Sequence, residues 1–362
     1  MAHAWCYSIH LKLRFCDSLF IVCLLFSHFN YSKPLKIICS TDNPEGSLHV
    51  VALKKFTQLI ELYSEGALVG EVHFRGSNLT PEIMGEEVNV TMLMSGNSGV
   101  HKKVHVTAVA AGNVSFKAKI LEFLMLPYIF EDKYAAQRLF NSELMTHQVN
   151  KVLIKKHNIR ALGWLIGGYR HLTNAIKPIN KIEDIQGLAI RTPINHLMVE
   201  TYRVFGAKVV PLSWNKTFLA LKSKRVQGQE NPYSVIVDSK FWLANQKYIT
   251  KNGPFLWVGP ILINETFFQN LPVKMQKIVE KSGEEASKFQ WRWSHENTQH
   301  FLNILKENNM EIMEVEDKPK WISAVKPLWR TQYKIIGYGN EHTGKKLVER
   351  VVNITSQAKS EN

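Results

Sequence analysis

Cysteine is scarce in this chain, and its scarcity excludes two kinds of architecture. Of four cysteines, Cys6, Cys16 and Cys23 crowd the N-terminus, and only Cys39 follows. A lone thiol cannot close an internal disulfide, and without a second thiol nearby a metal site has no anchor. Cys39 therefore reads as a small buried residue on an early strand. Long hydrophobic runs are also missing. Leu19–Phe26, behind Lys12 and Arg14, is too short to span a bilayer but suits the core of a secretory signal. Asp17, and SHFNYS where a small-x-small cleavage site belongs, depart from the usual form. We expect residues 1–32 to be a signal peptide of uncertain cleavage point, and the chain to be exported to the periplasm. No later segment is apolar enough to cross a membrane.

Acidic residues are few as well: 31 against 45 Lys and Arg, for a net charge of +14. The excess favours anionic ligands through its field. The basic residues are dispersed, with no arginine-rich block and no aromatic–basic interleaving, which argues against nucleic-acid binding. No GxGxxG follows a strand, and no GxSxG elbow is present. GNEHTGKK at Gly339–Lys346 is one residue short of a phosphate loop and carries Lys346 where magnesium needs a hydroxyl, so it reads as a helix-start loop. His295 and His300 lie five apart, roughly 140° around a helix, whereas a zinc-protease pair needs one face. The sequons at Asn89 and Asn264 carry little weight.

What is present is globular. At 45% hydrophobic and 21% charged, 362 residues can build two ordinary domains. The most informative stretch is Gly187–Ser234, GLAIRTPINHLMVETYRVFGAKVVPLSWNKTFLALKSKRVQGQENPYS. A strand over Leu188–Thr192 is cut off by Pro193. A helix closed by Gly206 leads to Ala207–Leu212, nearly all apolar, as a parallel strand covered on both sides would be. Ser213 then caps a helix carrying Trp214, and a third strand, Val226–Glu230, stops at Asn231-Pro232. Ligands of open parallel sheets lie beyond the carboxyl ends of the strands. There Arg191 and Asn231 can converge on one small anion, with a planar fork that suits a carboxylate. Trp214 and Tyr233 can wall the site. The turn before the helix that starts at Leu48 aims backbone N–H groups and Ser47 at the same region, with ordinary turn and cap chemistry as the alternative for Asn43 and Ser47.

These residues resemble the substrate-binding subunits of TRAP (tripartite ATP-independent periplasmic) transporters, the dicarboxylate-binding-protein-like family. The likeness rests on IRTP, GQENP, TDNPEGSLH, VTAVAAGNVS, FLMLPYIFED, GYRHLTNAIKPINKIEDIQGL and NGPFLWVGPILIN, and covers nearly everything after Lys33. It implies an α/β fold of the periplasmic-binding-protein kind: two domains, each a mostly parallel sheet flanked by helices, joined by crossover strands and a long bracing helix. It also implies that Asn113 and Ser115 contribute polar groups, that Arg170 is a second cationic contact, with a surface or hinge salt bridge as the alternative, and that a single helical run over Val273–Asn308 braces both domains. One departure is Arg225-Val226-Gln227, where the family usually has a short acidic step before GQENP.

The expected division is 33–167 plus 256–297 for the first domain and 168–255 plus 298–362 for the second, the strand Ile159–Ile166 ending in a crossing at Gly167-Gly168-Tyr169. The function this implies is an extracytoplasmic receptor that closes over a small organic acid, dicarboxylate or sugar acid in type, and delivers it to a TRAP permease. It needs no cofactor, no metal ion and no catalytic group. An enzyme on a similar scaffold, or a receptor repurposed as a sensor or adhesin, are the alternatives; a carboxylate–histidine pair at the cleft mouth would favour the enzyme, and none is evident.

Overall fold

The computed structural model describes residues 33–77, 85–96 and 104–357. The expected signal peptide, with its three cysteines, and much of the stretch between Met84 and Lys103 lie outside the described residues. The chain opens with a βαβ unit: β1 (Leu35–Pro44), α1 (Leu48–Tyr63) and β2 (Leu68–Arg75). Its strands pair in parallel, as a helical crossover requires. α1 starts where Ser47 accepts the Val50 N–H at 3.4 Å, so that turn is a helix cap. After α2 (Glu86–Ser95) and the short β3 (Val106–Ala108) comes β4 (Ile159–Asn174).

The central stretch then supplies β5 (Ala189–Thr192), α3 (His196–Val204), β6 (Lys208–Pro211), α4 (Trp214–Lys222), β7 (Gly228–Asn231) and α5 (Tyr233–Asp238). β8 (Tyr248–Asn264), α6 (Val273–Glu296) and β9 (Glu311–Met313) follow. The strands form one sheet in the order β2-β1-β3-β8-β4-β7-β5-β6, with β9 also on β8.

β4 and β8 tie this sheet together. They run antiparallel from Ile159 opposite Asn264 to Asn174 opposite Tyr248. β3 pairs with the C-terminal part of β8, whereas β7 pairs with the C-terminal part of β4. The sheet therefore has two α/β halves strung on two shared strands. Register shifts fall between Ile166 and Gly168 and between Arg170 and Leu172, where the strands pass from one half to the other. Such shifts bend and twist a strand, and Gly168 sits there at φ +140°, open to glycine and to few other residues. The sequence suggested a strand ending at Ile166; the ladder instead continues to Asn174, because β8 supplies a partner along the whole length.

Each half has its own buried cluster. Ile37, Leu53, Phe56, Leu165 and Ile261 pack in the first, and Leu221, Ile236, Phe241, Ile249 and Leu305 in the second. Cys39, fully buried, belongs to the former, and burial pushes its thiol pKa up. α6 seats on α1 and β4. A β-carbon on Gly283 would fall 2.4 Å from that of Leu162, so helix and strand approach as closely as only glycine permits.

Three expectations change here. The run Val273–Asn308 is two helices, broken at Asn297; α6 rests on the first half, and Thr298–Glu307 packs on α5 and β9. Helical periodicity continues across the break, which is why composition hides it. β6 is not covered on both sides: it is the last strand in the order, and Lys208 and Pro211 are exposed. Ser213 stands at the N-cap of α4, but its hydroxyl donates to Asn215 Oδ1 at 2.8 Å and caps nothing. Other readings hold. Asn340 caps the helix Glu341–Thr355 behind GNEHTGKK, and His295 and His300 sit on different helices.

Candidate functional site

β5 and β7 end side by side, and their carboxyl ends open into a cavity of about 330 Å³. Arg191, third residue of β5, lines it while only 2% exposed. Its Nε and Nη2 donate to the Leu212 carbonyl at 3.0 and 2.7 Å. Its guanidinium carbon lies 5.7 Å from the centre of the Trp214 ring, which also borders the cavity. Among the described residues no carboxylate comes within bridging distance of this cation. Burial pulls its pKa down to about 9, only partly opposed by Glu230. A cation so placed is poised for an anion.

GQENP now has a physical meaning for each residue. Strand side chains alternate faces, so Gln229 and Asn231 share one face and Glu230 takes the other. Asn231 borders the cavity and donates through Nδ2 to Gln229 Oε1. Gln229 Nε2 donates in turn to Thr173 Oγ1 at 3.0 Å, and Thr173 to Gln246 Oε1 at 2.7 Å. This buried chain assigns the Asn231 amide its orientation and leaves Oδ1 and one N–H for the cavity.

Glu230, fully buried, receives Arg170 Nε and Nη2 on its two carboxylate oxygens at 2.5 and 2.8 Å, and Nη2 also reaches its backbone oxygen at 3.0 Å. Arg170 borders the cavity, but its charge is already balanced. The pair makes Arg170 a strut, the salt-bridge alternative of the sequence reading; of the two arginines, only Arg191 lacks a carboxylate partner among the described residues.

The first half supplies the facing wall. Glu86, opening α2, takes Asn43 Nδ2 on Oε1 at 2.8 Å. Its Oε2 accepts the Ala110 N–H at 2.8 Å and Asn113 Nδ2 at 2.7 Å. Asn113 thus lines the cavity, with one of its two N–H groups given to Glu86. Ser115 is buried and turned to the Gly112 carbonyl at 3.1 Å. Arg75 and Asp42 bridge at 3.1 Å on the same wall.

Two expected site residues lie elsewhere. Ser47, spent on capping α1, borders an adjoining cavity of about 310 Å³. Tyr233 faces neither cavity: its ring packs on His171 with centroids 4.7 Å apart, as the first residue of α5 turned back onto β4. Sequence reasoning missed His49, Glu86, Glu87 and Trp257, all lining the main cavity. His49 stands inside TDNPEGSLH, yet only tertiary structure shows it facing inward. Among the described residues no group of His, Cys, Asp or Glu could hold a metal ion, and no helix is long and apolar enough to cross a membrane.

The sequence profile of bacterial extracellular solute-binding protein, family 7, matches residues 39–335. A solute-binding protein of Verminephrobacter eiseniae is 27% identical over 234 residues, covering 64% of this chain and 67% of that one. A TRAP periplasmic solute-binding protein of Rhodobacter sphaeroides, crystallised in an apo open form, superposes with a TM-score of 0.74 at 28% identity, covering 89% of this chain and all of that one. The sugar acid binding protein of Advenella mimigardefordensis, solved with galactonate, gives a TM-score of 0.79 at 23% identity, covering 89% and 98%.

Proposed function

The chain belongs to the bacterial extracellular solute-binding proteins of family 7, the receptors of TRAP transport, and from that premise we propose that it receives a small organic acid with its carboxylate on Arg191. One observation carries the proposal: a guanidinium buried to 2% exposure, bordering a cavity, with a backbone carbonyl as its only hydrogen-bond acceptor among the described residues. A planar fork with N–H groups to spare matches a carboxylate, and the anion would relieve the cost of the buried charge. Asn231, oriented by Gln229, would meet the same ligand with its free amide atoms, and Trp214 would flank it.

The two halves, 33–167 with 256–297 and 168–255 with 298–362, would close over the acid because the ligand binds groups from both. The galactonate held by a structural neighbour supports a carboxylate-bearing ligand. The receptor would work in the periplasm after loss of residues 1–32 and pass its acid to a TRAP permease, with no chemical change to it.

Calorimetry against a panel of organic acids tests this. At least one acid should bind in the micromolar range or tighter, about −8 kcal/mol. Arg191→Lys should lose tenfold or more, since an ammonium cannot reproduce the fork. An unchanged affinity in that variant removes Arg191 from the site.

A further inference from the structure

The wall that the first half contributes to the Arg191 cavity has the wrong charge for a second anion, although Glu87 is near enough to act on Arg191. Asp42, Glu86 and Glu87 all border the cavity there. Arg75 neutralises Asp42. Among the described residues no Lys or Arg bridges Glu86 or Glu87, and the bonds that hold Glu86 come from the neutral groups of Asn43, Ala110 and Asn113. With Arg170 balanced by Glu230, Arg191 is left as the positive end and this wall as the negative one.

His49 points independently to a ligand. It is 3% exposed, borders the cavity, and neither ring nitrogen has a hydrogen-bond partner. Trp257 holds it edge-on, with centroids 4.8 Å apart and planes at 84°, and Nε2 lies 3.4 Å from Glu86 Oε1. Burial drives its pKa down to about 3, so the ring is neutral at pH 7. A neutral imidazole always keeps one nitrogen as a bare acceptor. A buried acceptor without a donor is costly, and the cavity beside it is where a donor can come from.

We propose that the ligand is a monocarboxylate whose far end donates hydrogen bonds to His49 and the Glu86–Glu87 wall, and that dicarboxylates of the same length are rejected. This rests on Arg191 as the carboxylate receptor. The far-end donor is a hydroxyl or an ammonium group; both satisfy a neutral imidazole and carboxylates, and a second carboxylate satisfies neither. The resemblance in sequence left dicarboxylate and sugar acid equally open, and the charge of the far wall separates them.

The test uses four-carbon probes on the full chain: erythronate for hydroxyls, 4-aminobutanoate for ammonium, succinate for a second carboxylate, and butanoate for none. Erythronate or 4-aminobutanoate should bind at least tenfold tighter than succinate, and the better of the two identifies the donor. Glu87→Gln, an exposed substitution, should strengthen succinate at least threefold. His49→Phe should weaken the better donor probe at least tenfold more than it weakens butanoate. Succinate binding as tightly as either donor probe, with Arg191→Lys still damaging, overturns the far-end assignment alone. If none of the four probes binds, the carboxylate receptor and its far end both fall.

Discussion

Arg191→Met should make the empty protein more stable while abolishing its response to ligand. The fall of the Arg191 pKa from 12.5 to about 9 corresponds to about 5 kcal/mol lost by the cation on burial, at 1.36 kcal/mol per pH unit. Methionine removes that cost, fills similar space beside Trp214, and strands the Leu212 carbonyl at about 1–3 kcal/mol. The balance is a gain of about 2 kcal/mol or more. At the usual unfolding entropy per residue a chain of this size gains about 1.5 °C per kcal/mol, so the empty variant should melt about 3 °C or more above the parent. Ligand at a hundred times its Kd adds about 2.7 kcal/mol to a protein that binds it, which the parent should show as about 4 °C and the variant should lack. The variant should therefore melt above the parent without ligand, and that gap should shrink by about 4 °C at saturation. Differential scanning calorimetry with and without the best acid reads all four values. An empty variant less stable than the parent by 1 kcal/mol or more would refute the argument that Arg191 is an uncompensated charge. A variant still shifted upward by ligand would refute the carboxylate clamp.

Two further outcomes follow from the same charges. Glu230→Gln leaves Arg170 buried without its counter-ion and should cost about 3–5 kcal/mol in urea unfolding, with the Arg170→Met/Glu230→Gln double variant recovering at least half; a loss under 1 kcal/mol would contradict the strut role. Asp238 borders the adjoining cavity, and burial raises its pKa to about 7 from an ordinary 3.8. The folded protein then holds a proton that the unfolded chain has released, so stability falls as pH climbs from about 4 to 7, by up to about 4 kcal/mol. Asp238→Asn should flatten that slope, raising the melting temperature at pH 8 and leaving it unchanged at pH 4; an equal shift at both would exclude the titration.

Much of the fold is local and so could be read from the chain. Strands cut by Pro193 and Pro232, helices capped at Ser47 and Asn340, and a parallel βαβαβ run across Gly187–Ser234 follow from residue chemistry within a few positions. The placement of Arg191 and Asn231 beside the cavity was legible for the same reason: they end strands of a parallel βαβ run, where clefts of such sheets open. The directions of Tyr233 and Ser47 were less legible, because closeness along the chain does not say which way a side chain turns. A helix begins at each, and the helix decides that Tyr233 packs on His171 and that Ser47 serves as a cap.

Composition and motif alone determined the class of this protein: a lone Cys39, no nucleotide or hydrolase signature, and ordered runs such as IRTP and GQENP. Only the tertiary structure decided which charges are spent and which are free. Arg170 and Arg191 are equivalent as letters; Glu230 bridges the first and not the second, and that difference makes one a strut and leaves the other without a carboxylate partner among the described residues. Glu86 and His49 stand far apart in the chain, and the βαβ unit and α2 bring them together on one wall. Electrostatic energy depends on separation and burial in three dimensions, and neither quantity is written in the order of the residues.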